Sequence, residues 1–141
     1  MKRKESPAGY DARYRSSEYY FDPKPYKFIE VLAEHKAPGT VLDVGAGEGA
    51  NAVYLASKGF TVKAVDFSSA GLEKINARAH AEGLTVETEL ADLSEWSIDR
   101  DYDVLVSTAV LHHLFPEEAL RVLEDMQQHT LPAGIHAITL F

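Results

Sequence analysis

The sequence predicts an α/β fold with a doubly wound, mostly parallel sheet of about five strands and helices on both faces. Two observations predict it. Short β-rich runs alternate with helical segments along nearly the whole chain, and such alternation produces right-handed βαβ crossovers and a parallel sheet. A cluster of glycines also separates the first strand from the next helix, and ligands of these sheets bind at that end of the strands.

The first part of the chain contains two helices with a strand between them. Apolar residues recur at helical spacing over 26–35, and a Pro-Gly pair then ends this helix. A short β-rich run that leads into the glycines predicts a strand over 40–44. The apolar segment over 50–58 predicts a second helix, which a glycine ends.

The same alternation continues to the end of the chain. The helix over 69–82 places its apolar residues on one face, and Ser68 or Ser69 can cap its first turn. A proline in the first turn supports a helix over 116–128. The remaining β-rich runs predict strands over 61–65, 86–90, 103–107 and 135–140.

Length and composition limit the classes of protein to which this chain can belong. With 141 residues, 45% of them apolar, the chain is expected to form a single domain over 1–141. It has no apolar run of about 18 residues that could span a membrane. Its basic start, with Lys2, Arg3 and Lys4 as a solvated tail, lacks the apolar segment of a secretory signal. We therefore expect a cytoplasmic protein without a membrane partner.

Charge and cysteine content exclude several kinds of chemistry. The formal charge of −8 repels phosphate backbones, so a small-molecule ligand is expected and a nucleic acid is not. Because the chain contains no cysteine, a disulfide framework, a redox dithiol and a thiolate metal site are all excluded.

Gly45, Gly47 and Gly49 lie between the first strand and the following helix, where the backbone turns tightly and approaches a ligand. The spacing also fits a dinucleotide loop, so an NAD-binding oxidoreductase is one alternative. Asp43 and Glu48 would place negative charge beside a pyrophosphate, which disfavours an anionic ligand. The charges favour a cationic cofactor such as S-adenosylmethionine (SAM), whose ammonium group Asp43 could hold directly or through water.

A further acid, Asp66, follows the second predicted strand, 19 residues after Gly47 (66 − 47). This spacing places it at the neighbouring strand end, where a ribose diol would lie, and its two oxygens can accept both hydroxyl protons. The alternative is that Asp43 and Asp66 only cap turns. Together with the glycines, the two acids favour a ligand site.

These segments resemble the motifs of class I SAM-dependent methyltransferases. VLDVGAGEGANAVYLA is similar to the first motif, AVDFS to the second, and the run over 102–114 to the fourth. The resemblance implies a Rossmann-like fold with SAM as the cofactor. It also implies a set of cofactor-binding residues, with Asp92 and Leu93 at the adenine and Phe67 as an apolar wall: Asp43, Gly45, Ala46, Gly47, Gly49, Asp66, Phe67, Asp92, Leu93, Thr108 and Ala109.

The N-terminal stretch, over 10–15 and 18–21, resembles the tellurite-resistance and thiopurine-type small-molecule methyltransferases. This resemblance implies transfer of a methyl group to a small-molecule acceptor, with residues 1–25 as a lid or access segment. Aromatic rings favour a sulfonium or another cation, so the rings of this segment are expected over the cofactor. They could instead cover a sheet edge, and the rings concerned are Tyr14, Tyr19, Tyr20 and Phe21.

Methyl transfer needs a nucleophile aligned with the methyl group and, for some acceptors, removal of a proton. His112 and His113 follow the fourth predicted strand, and either is a candidate general base or substrate contact. The alternative for both is packing or helix capping. A metal site is not expected, because no third ligand lies at motif spacing near them.

The resemblance also implies strands beyond the fifth one. In complete members of the family an antiparallel hairpin follows the fifth strand, and this chain ends near that point. We therefore expect a sheet that lacks the hairpin and leaves the apolar fifth strand as an exposed edge, which favours a homodimer. A SAM-binding module without turnover is thus a second alternative to an active enzyme.

Overall fold

The computed structural model describes residues 5–141, so the predicted tail of Lys2, Arg3 and Lys4 lies outside the described residues. These residues form five strands, five α-helices and one short 3-10 turn. In chain order they are α1 (Pro7–Arg15), α2 (Lys27–His35), β1 (Thr40–Val44), α3 (Ala50–Ser57), β2 (Thr61–Asp66), α4 (Ser69–Ala81), β3 (Val86–Leu90), β4 (Tyr102–Thr108), the 3-10 turn (Leu111–His113), α5 (Pro116–Gln128) and β5 (Thr130–Thr139).

The five strands pair in parallel in one sheet, in the order β3-β2-β1-β4-β5. The strand order reverses between β1 and β4, and the carboxyl ends of these two strands flank the crevice where such sheets bind ligands. Asp43 of β1 lies beside Ala64 of β2 and Val106 of β4. The doubly wound α/β prediction is confirmed.

Helices cover both faces of the sheet, as the alternation predicts. On one face α2, α3 and α4 bury apolar side chains that include Ile29, Leu55 and Ile75. On the other face α5 buries Val122 and Met126. Because β1 and β4 are covered on both sides, each of them is a nearly continuous apolar run.

The helix α1 has no counterpart among the predicted elements. Ser6 caps this helix, because its hydroxyl accepts a hydrogen bond from the Gly9 N–H at 3.1 Å, and Pro7 occupies the first turn. The helix has no apolar face and buries only Tyr14. Periodicity therefore gives no signal here, although the capping residues are visible in the sequence.

The fifth strand is longer and less regular than the predicted strand over 135–140. It begins at Thr130, which pairs with Tyr102, and regular pairing resumes only at Ile135 opposite Val104. The four residues between bulge out of the ladder, and Ala133 among them has a φ of 62°. The irregular segment interrupts the β-rich pattern, so the sequence reveals only the part that follows it.

The other predicted helices and strands agree with the structure to within one residue at each end. The longest helices, α4 and α5, have 13 residues each. Across the described part of the chain, no helix has the length and apolar character needed to cross a bilayer.

Candidate cofactor site

A cavity of about 430 Å³ opens at the carboxyl ends of β1, β2 and β4. Small-molecule sites typically enclose about 300–1,000 Å³. Three of the predicted site residues, Asp43, Gly49 and His112, lie outside its lining. The other ten line it, and they are Gly45, Ala46, Gly47, Asp66, Phe67, Asp92, Leu93, Thr108, Ala109 and His113.

The glycine loop joins β1 to α3 and has a positive φ at each of its three glycines. A side chain at Gly45 would place its Cβ 2.4 Å from Cγ2 of Val110, which lies just after β4. The positive φ and this close approach both require glycine at position 45. The N–H groups of Gly45 and Ala46 donate to the Val65 carbonyl of β2, at 2.8 and 3.0 Å. The loop is thus held between the two neighbouring strands.

Gly49 supports the packing of two helices. It is the N-cap of α3, with a φ of 86°, and a Cβ there would lie 2.7 Å from Cγ1 of Ile75 in α4. The absence of a side chain lets α3 and α4 approach each other. The structure therefore places Gly49 beneath the loop, away from the cavity surface.

Asp66 ends β2 and is only 6% exposed. Its Oδ2 accepts a hydrogen bond from the Gly47 N–H at 2.9 Å, and its Oδ1 accepts one from the Ser68 N–H at 2.8 Å. Burial raises the pKa of Asp66, and these backbone hydrogen bonds partly offset the rise. The carboxylate thus fixes the loop, and each oxygen retains a lone pair for a hydroxyl donor in the cavity.

Asp43 lies in β1 beneath the loop and is 1% exposed. Both of its carboxylate oxygens are buried, and neither has a hydrogen-bond partner within residues 5–141. Burial, together with the negative charge of Asp66, raises the pKa of Asp43 to about 7. Because an unpaired buried carboxylate is strongly unfavourable, the position fits a cationic group held directly or through water.

The charge of Glu48 is balanced, so the expectation that it repels anionic ligands is wrong. Its carboxylate forms an ion pair with Lys74 of α4 at 2.6 Å and accepts hydrogen bonds from the N–H groups of Tyr20 and Phe21. The side chain turns toward the N-terminal segment, which the sequence pattern could not indicate. Of the two acids at the loop, only Asp43 still argues against an anionic ligand.

Phe67, Asp92 and Leu93 form the side of the cavity that follows β2 and β3. Asp92 accepts hydrogen bonds from the N–H and the hydroxyl of Ser94, at 3.0 and 2.9 Å, which fix the turn after β3. The Leu93 carbonyl accepts a hydrogen bond from Arg121 of α5. The result is an apolar wall with a carboxylate beside it, which suits a flat heterocycle such as adenine.

The end of β4 forms the opposite side of the cavity. The hydroxyl of Thr108 accepts a hydrogen bond from the side-chain amide of Asn51 at 3.1 Å. Ala109 has a φ of 57°, and its N–H donates to the carbonyl and the hydroxyl of Thr139, at 3.2 and 3.0 Å. Such strained backbone positions cluster at functional sites, and here β5 stabilises the strained turn.

The two adjacent histidines occupy different environments. His113 lines the cavity, with its ring centroid 6.5 Å from that of Tyr10. His112 lies behind it, with its ring 4.0 Å from His113 and 5.9 Å from Phe141, and its buried Nδ1 has no hydrogen-bond partner within residues 5–141. The described residues contain no group of three His, Cys, Asp or Glu side chains that could hold a metal ion.

The N-terminal segment forms the remaining wall of the cavity. Tyr10, Tyr14, Tyr19 and Phe21 line it, and the Tyr10 ring lies 5.5 Å from that of Phe67. Burial is the main cause of the raised pKa of both Tyr10 and Tyr14. Since α1 packs mainly against α4 and these rings face the cavity, the structure favours a cover over the site rather than over a sheet edge.

Two residues that build this site, Asp11 and Asn51, were not predicted as site residues, although both lie in segments that carry the family resemblance. Asp11 accepts hydrogen bonds from the Ser68 hydroxyl at 2.5 Å and the Ala70 N–H at 3.0 Å, and so ties α1 to the start of α4. The side-chain carbonyl of Asn51 accepts a hydrogen bond from the Tyr26 N–H at 3.2 Å. These contacts join residues far apart in the chain, which a local pattern cannot reveal.

Known proteins share this arrangement. The family model described as "Tellurite resistance protein TehB" matches residues 11–140. The chain belongs to the TehB family. This membership confirms the resemblance to class I methyltransferases of the tellurite-resistance type and gives no support to the NAD-dependent oxidoreductase alternative.

Two curated proteins and one solved structure illustrate the similarity. The chain is 33% identical over 102 residues to the "Probable S-adenosyl-L-methionine-dependent methyltransferase TehB" of Haemophilus influenzae (strain 10810), a match that covers 72% of this chain and 36% of the relative. It is 34% identical over 110 residues to "Hemagglutinin 1" of Eikenella corrodens, covering 78% of this chain and 37% of the relative. The crystal structure of TehB from Haemophilus influenzae superposes with a TM-score of 0.78 at 30% identity, covering 81% of this chain and 40% of that one.

The matched region is a minor part of each of these relatives. The chain spans 36–37% of the length of the two curated relatives and 40% of the solved TehB chain.

Proposed function

We propose that this chain binds SAM in the cavity and transfers its methyl group to a small-molecule acceptor. The observation that carries the proposal is Asp43, a buried carboxylate without a hydrogen-bond partner in the strand that leads into the glycine loop. A cationic cofactor provides a partner for this charge, whereas a pyrophosphate does not. The relative from Haemophilus influenzae, named a probable SAM-dependent methyltransferase, supports the same cofactor.

The residues around the cavity suit the separate parts of SAM. Asp43, which lies beneath the loop and outside the lining, would hold the ammonium group directly or through water, and Asp66 would accept the ribose hydroxyl protons. When bound, SAM supplies an activated methyl group on a sulfonium, which the surrounding tyrosine rings favour. The adenine would lie between Phe67 and Leu93 beside Asp92, and the remaining lining toward the cofactor comes from Gly45, Ala46, Gly47, Thr108 and Ala109.

His113 is the residue we assign to the acceptor. It lines the cavity, and a neutral imidazole can take up the proton that a hydroxyl, thiol or amine loses as its new bond to carbon forms. His112 has a supporting role, because its ring packs against His113 at a centroid distance of 4.0 Å. This division assigns general-base chemistry to one histidine and packing to the other.

Isothermal titration calorimetry with SAM and, separately, with NAD tests the cofactor. We expect SAM to bind and NAD not to bind. Asp43→Asn and Asp66→Asn should each weaken SAM binding by about tenfold or more, because hydrogen bonds to charged groups contribute about 1.5–3 kcal/mol. Asp101→Asn, at an exposed position, is the matched control and should leave the affinity unchanged. A folded protein that binds NAD but not SAM would contradict the proposal.

Formation of S-adenosylhomocysteine, measured with small acceptors that carry hydroxyl, thiol or oxyanion groups, tests turnover. For acceptors that must lose a proton, His113→Ala should lower kcat by about 10²–10⁴-fold while SAM affinity is retained. His112→Ala should have a much smaller effect. SAM binding with no product from any acceptor would support the binding module without turnover instead.

The edge of the sheet at β5 supports a proposed homodimer. Within residues 5–141, β5 pairs with β4 alone, and Ile135, Leu140 and Phe141 nearby are 37%, 59% and 82% exposed. An exposed strand edge beside apolar side chains favours pairing with a second copy. Light scattering after size-exclusion chromatography should give the mass of two chains, and a monomer at every concentration would contradict this proposal. A cytoplasmic location stays a prediction from the sequence.

A further inference from the structure

Glu48 belongs to the glycine loop, but its side chain binds the N-terminal segment. The side chain is 5% exposed. Its Oε1 accepts hydrogen bonds from the N–H groups of Tyr20 and Phe21, at 3.1 and 2.9 Å. The Tyr20 N–H also donates to Oε2, at 3.0 Å. One carboxylate of the loop thus holds two successive backbone amides that lie 28 and 27 residues earlier in the chain.

Two cations of α4 complete this attachment. The Lys74 ammonium bridges the Glu48 carboxylate at 2.6 Å and the Ser17 carbonyl at 2.9 Å. The Arg78 guanidinium donates to the backbone carbonyls of Glu48 and Pro23, at 2.9 and 3.1 Å. The segment over 17–23 is therefore held to the loop and to α4 by charge-assisted hydrogen bonds.

This segment covers the cavity, yet it buries little apolar surface of its own. Tyr19 and Phe21 line the cavity, but they are 38% and 54% exposed, and Tyr20 is 45% exposed. A segment with few buried apolar contacts opens locally at a low free energy, so its closed state depends on its polar contacts. Glu48 supplies the contacts that also reach the cofactor loop.

We infer that Glu48 is a positioning residue that couples cofactor binding to closure of the segment over 17–23. The inference rests on the proposed function, since the cofactor is SAM. Asp66 accepts the N–H of Gly47, and the adjacent Glu48 is held by Lys74 and Arg78 of α4. Closure of the segment adds the N–H groups of Tyr20 and Phe21 to the Glu48 carboxylate, so the closed segment holds the loop more firmly. By linkage, a ligand that needs the closed segment must also stabilise it.

Amide hydrogen exchange of the wild-type chain, with and without SAM, tests the coupling directly at the amides of Tyr20 and Phe21. If SAM binds only while the segment is closed, SAM lowers the population of the open state from which these amides exchange. At a free SAM concentration about ten times the dissociation constant, exchange of the two amides should therefore slow about tenfold. Unchanged exchange at these two amides, in a sample shown by calorimetry to be saturated with SAM, would overturn the inference. Failure of the wild-type chain to bind SAM in that calorimetry would instead refute the proposed function.

Glu48→Gln tests the assigned residue, and Glu18→Gln, an exposed acid in the same segment, is the matched control. Glu48→Gln should speed exchange of Tyr20 and Phe21 by about tenfold, because it removes the charge from their acceptor. It should raise the dissociation rate of radiolabelled SAM by a similar factor. Amides of Val62 and Val65 in β2 report the stability of the whole fold and should change little, as should every amide in the control.

A merely structural role for Glu48 predicts a different result. In that case the amides of Val62 and Val65 would exchange faster by the same factor as those of Tyr20 and Phe21. That outcome would overturn the inference, as would an unchanged SAM dissociation rate in Glu48→Gln. If this variant does not fold, the wild-type comparison with and without SAM still decides whether closure and binding are coupled.

Discussion

Binding of SAM should weaken as the pH falls from 7 to 5, because Asp43 takes up a proton over this range. Burial and the charge of Asp66 raise the pKa of Asp43 to about 7. About half of the unliganded chains therefore carry an ionised Asp43 at pH 7, but only about one in a hundred do at pH 5. If only the ionised carboxylate holds the ammonium group, the dissociation constant rises about fiftyfold, or about 2.3 kcal/mol.

Calorimetry at pH 5, 6 and 7, in buffers with different ionisation enthalpies, measures both the affinity and the protons released on binding. Release should be about half a proton at pH 7 and close to one at pH 6, where most Asp43 side chains begin protonated. Asp43→Asn should abolish the release and flatten the pH profile. Asp66→Asn should move the profile to lower pH, because it removes the charge that helps to raise the pKa of Asp43. A wild-type affinity that does not vary with pH would refute this reasoning.

Three further predictions concern stability. As the pH rises from 5 to 7, Asp43 should lower the unfolding free energy of the unliganded protein by about 2 kcal/mol, because its raised pKa makes the folded state bind the proton more tightly than the unfolded state does. In urea titrations over this pH range, Asp43→Asn should remove this dependence of the unfolding free energy on pH. Gly45→Ala should lower the free energy of unfolding by about 1–3 kcal/mol more than Gly83→Ala. Both glycines have a positive φ, but only at Gly45 would the added Cβ lie 2.4 Å from Cγ2 of Val110. Equal losses of unfolding free energy in denaturant titrations would contradict this packing. Asp11→Ala should lower Tm by several degrees, because it removes the carboxylate that accepts hydrogen bonds from Ser68 and Ala70 at the start of α4, a cap worth about 1 kcal/mol. An unchanged Tm would show that these hydrogen bonds are not needed to hold α1 against α4.

The sheet and the glycine loop were predictable because their signals are local. The strand over 40–44, the glycines after it and the acid that ends β2 each lie within a few residues of the pattern that identifies them. In a parallel sheet the carboxyl ends of neighbouring strands lie at the same edge, so the topology alone predicted that Asp66 lies close to the loop. The structure agrees, since the Asp66 carboxylate accepts a hydrogen bond from the Gly47 N–H at 2.9 Å. Local periodicity and topology together therefore predicted most of the cofactor side of the cavity.

The remaining parts of the site depend on contacts between distant segments. Glu48 pairs with Lys74, 26 residues later in the chain, and accepts the Tyr20 N–H from 28 residues earlier, so its neutralised charge was not visible in the sequence. The two histidines are chemically identical neighbours, and only the 3-10 turn after the strained Ala109 decides that His113 faces the cavity. The helix α1 was missed for another reason, because its residues form no apolar face.

The all-parallel sheet has a consequence for the order in which this chain folds. Paired residues in neighbouring strands are at least 21 positions apart (61 − 40), and β1 meets β4 through Val41 and Val104, 63 positions apart (104 − 41). Among the strands of residues 5–141, no neighbouring pair can form as a local hairpin, so the sheet is expected to assemble slowly and cooperatively. Since Val110 packs against Gly45, the glycine loop gains its final shape only after β4 has docked. SAM should therefore slow unfolding of the finished protein without accelerating its refolding.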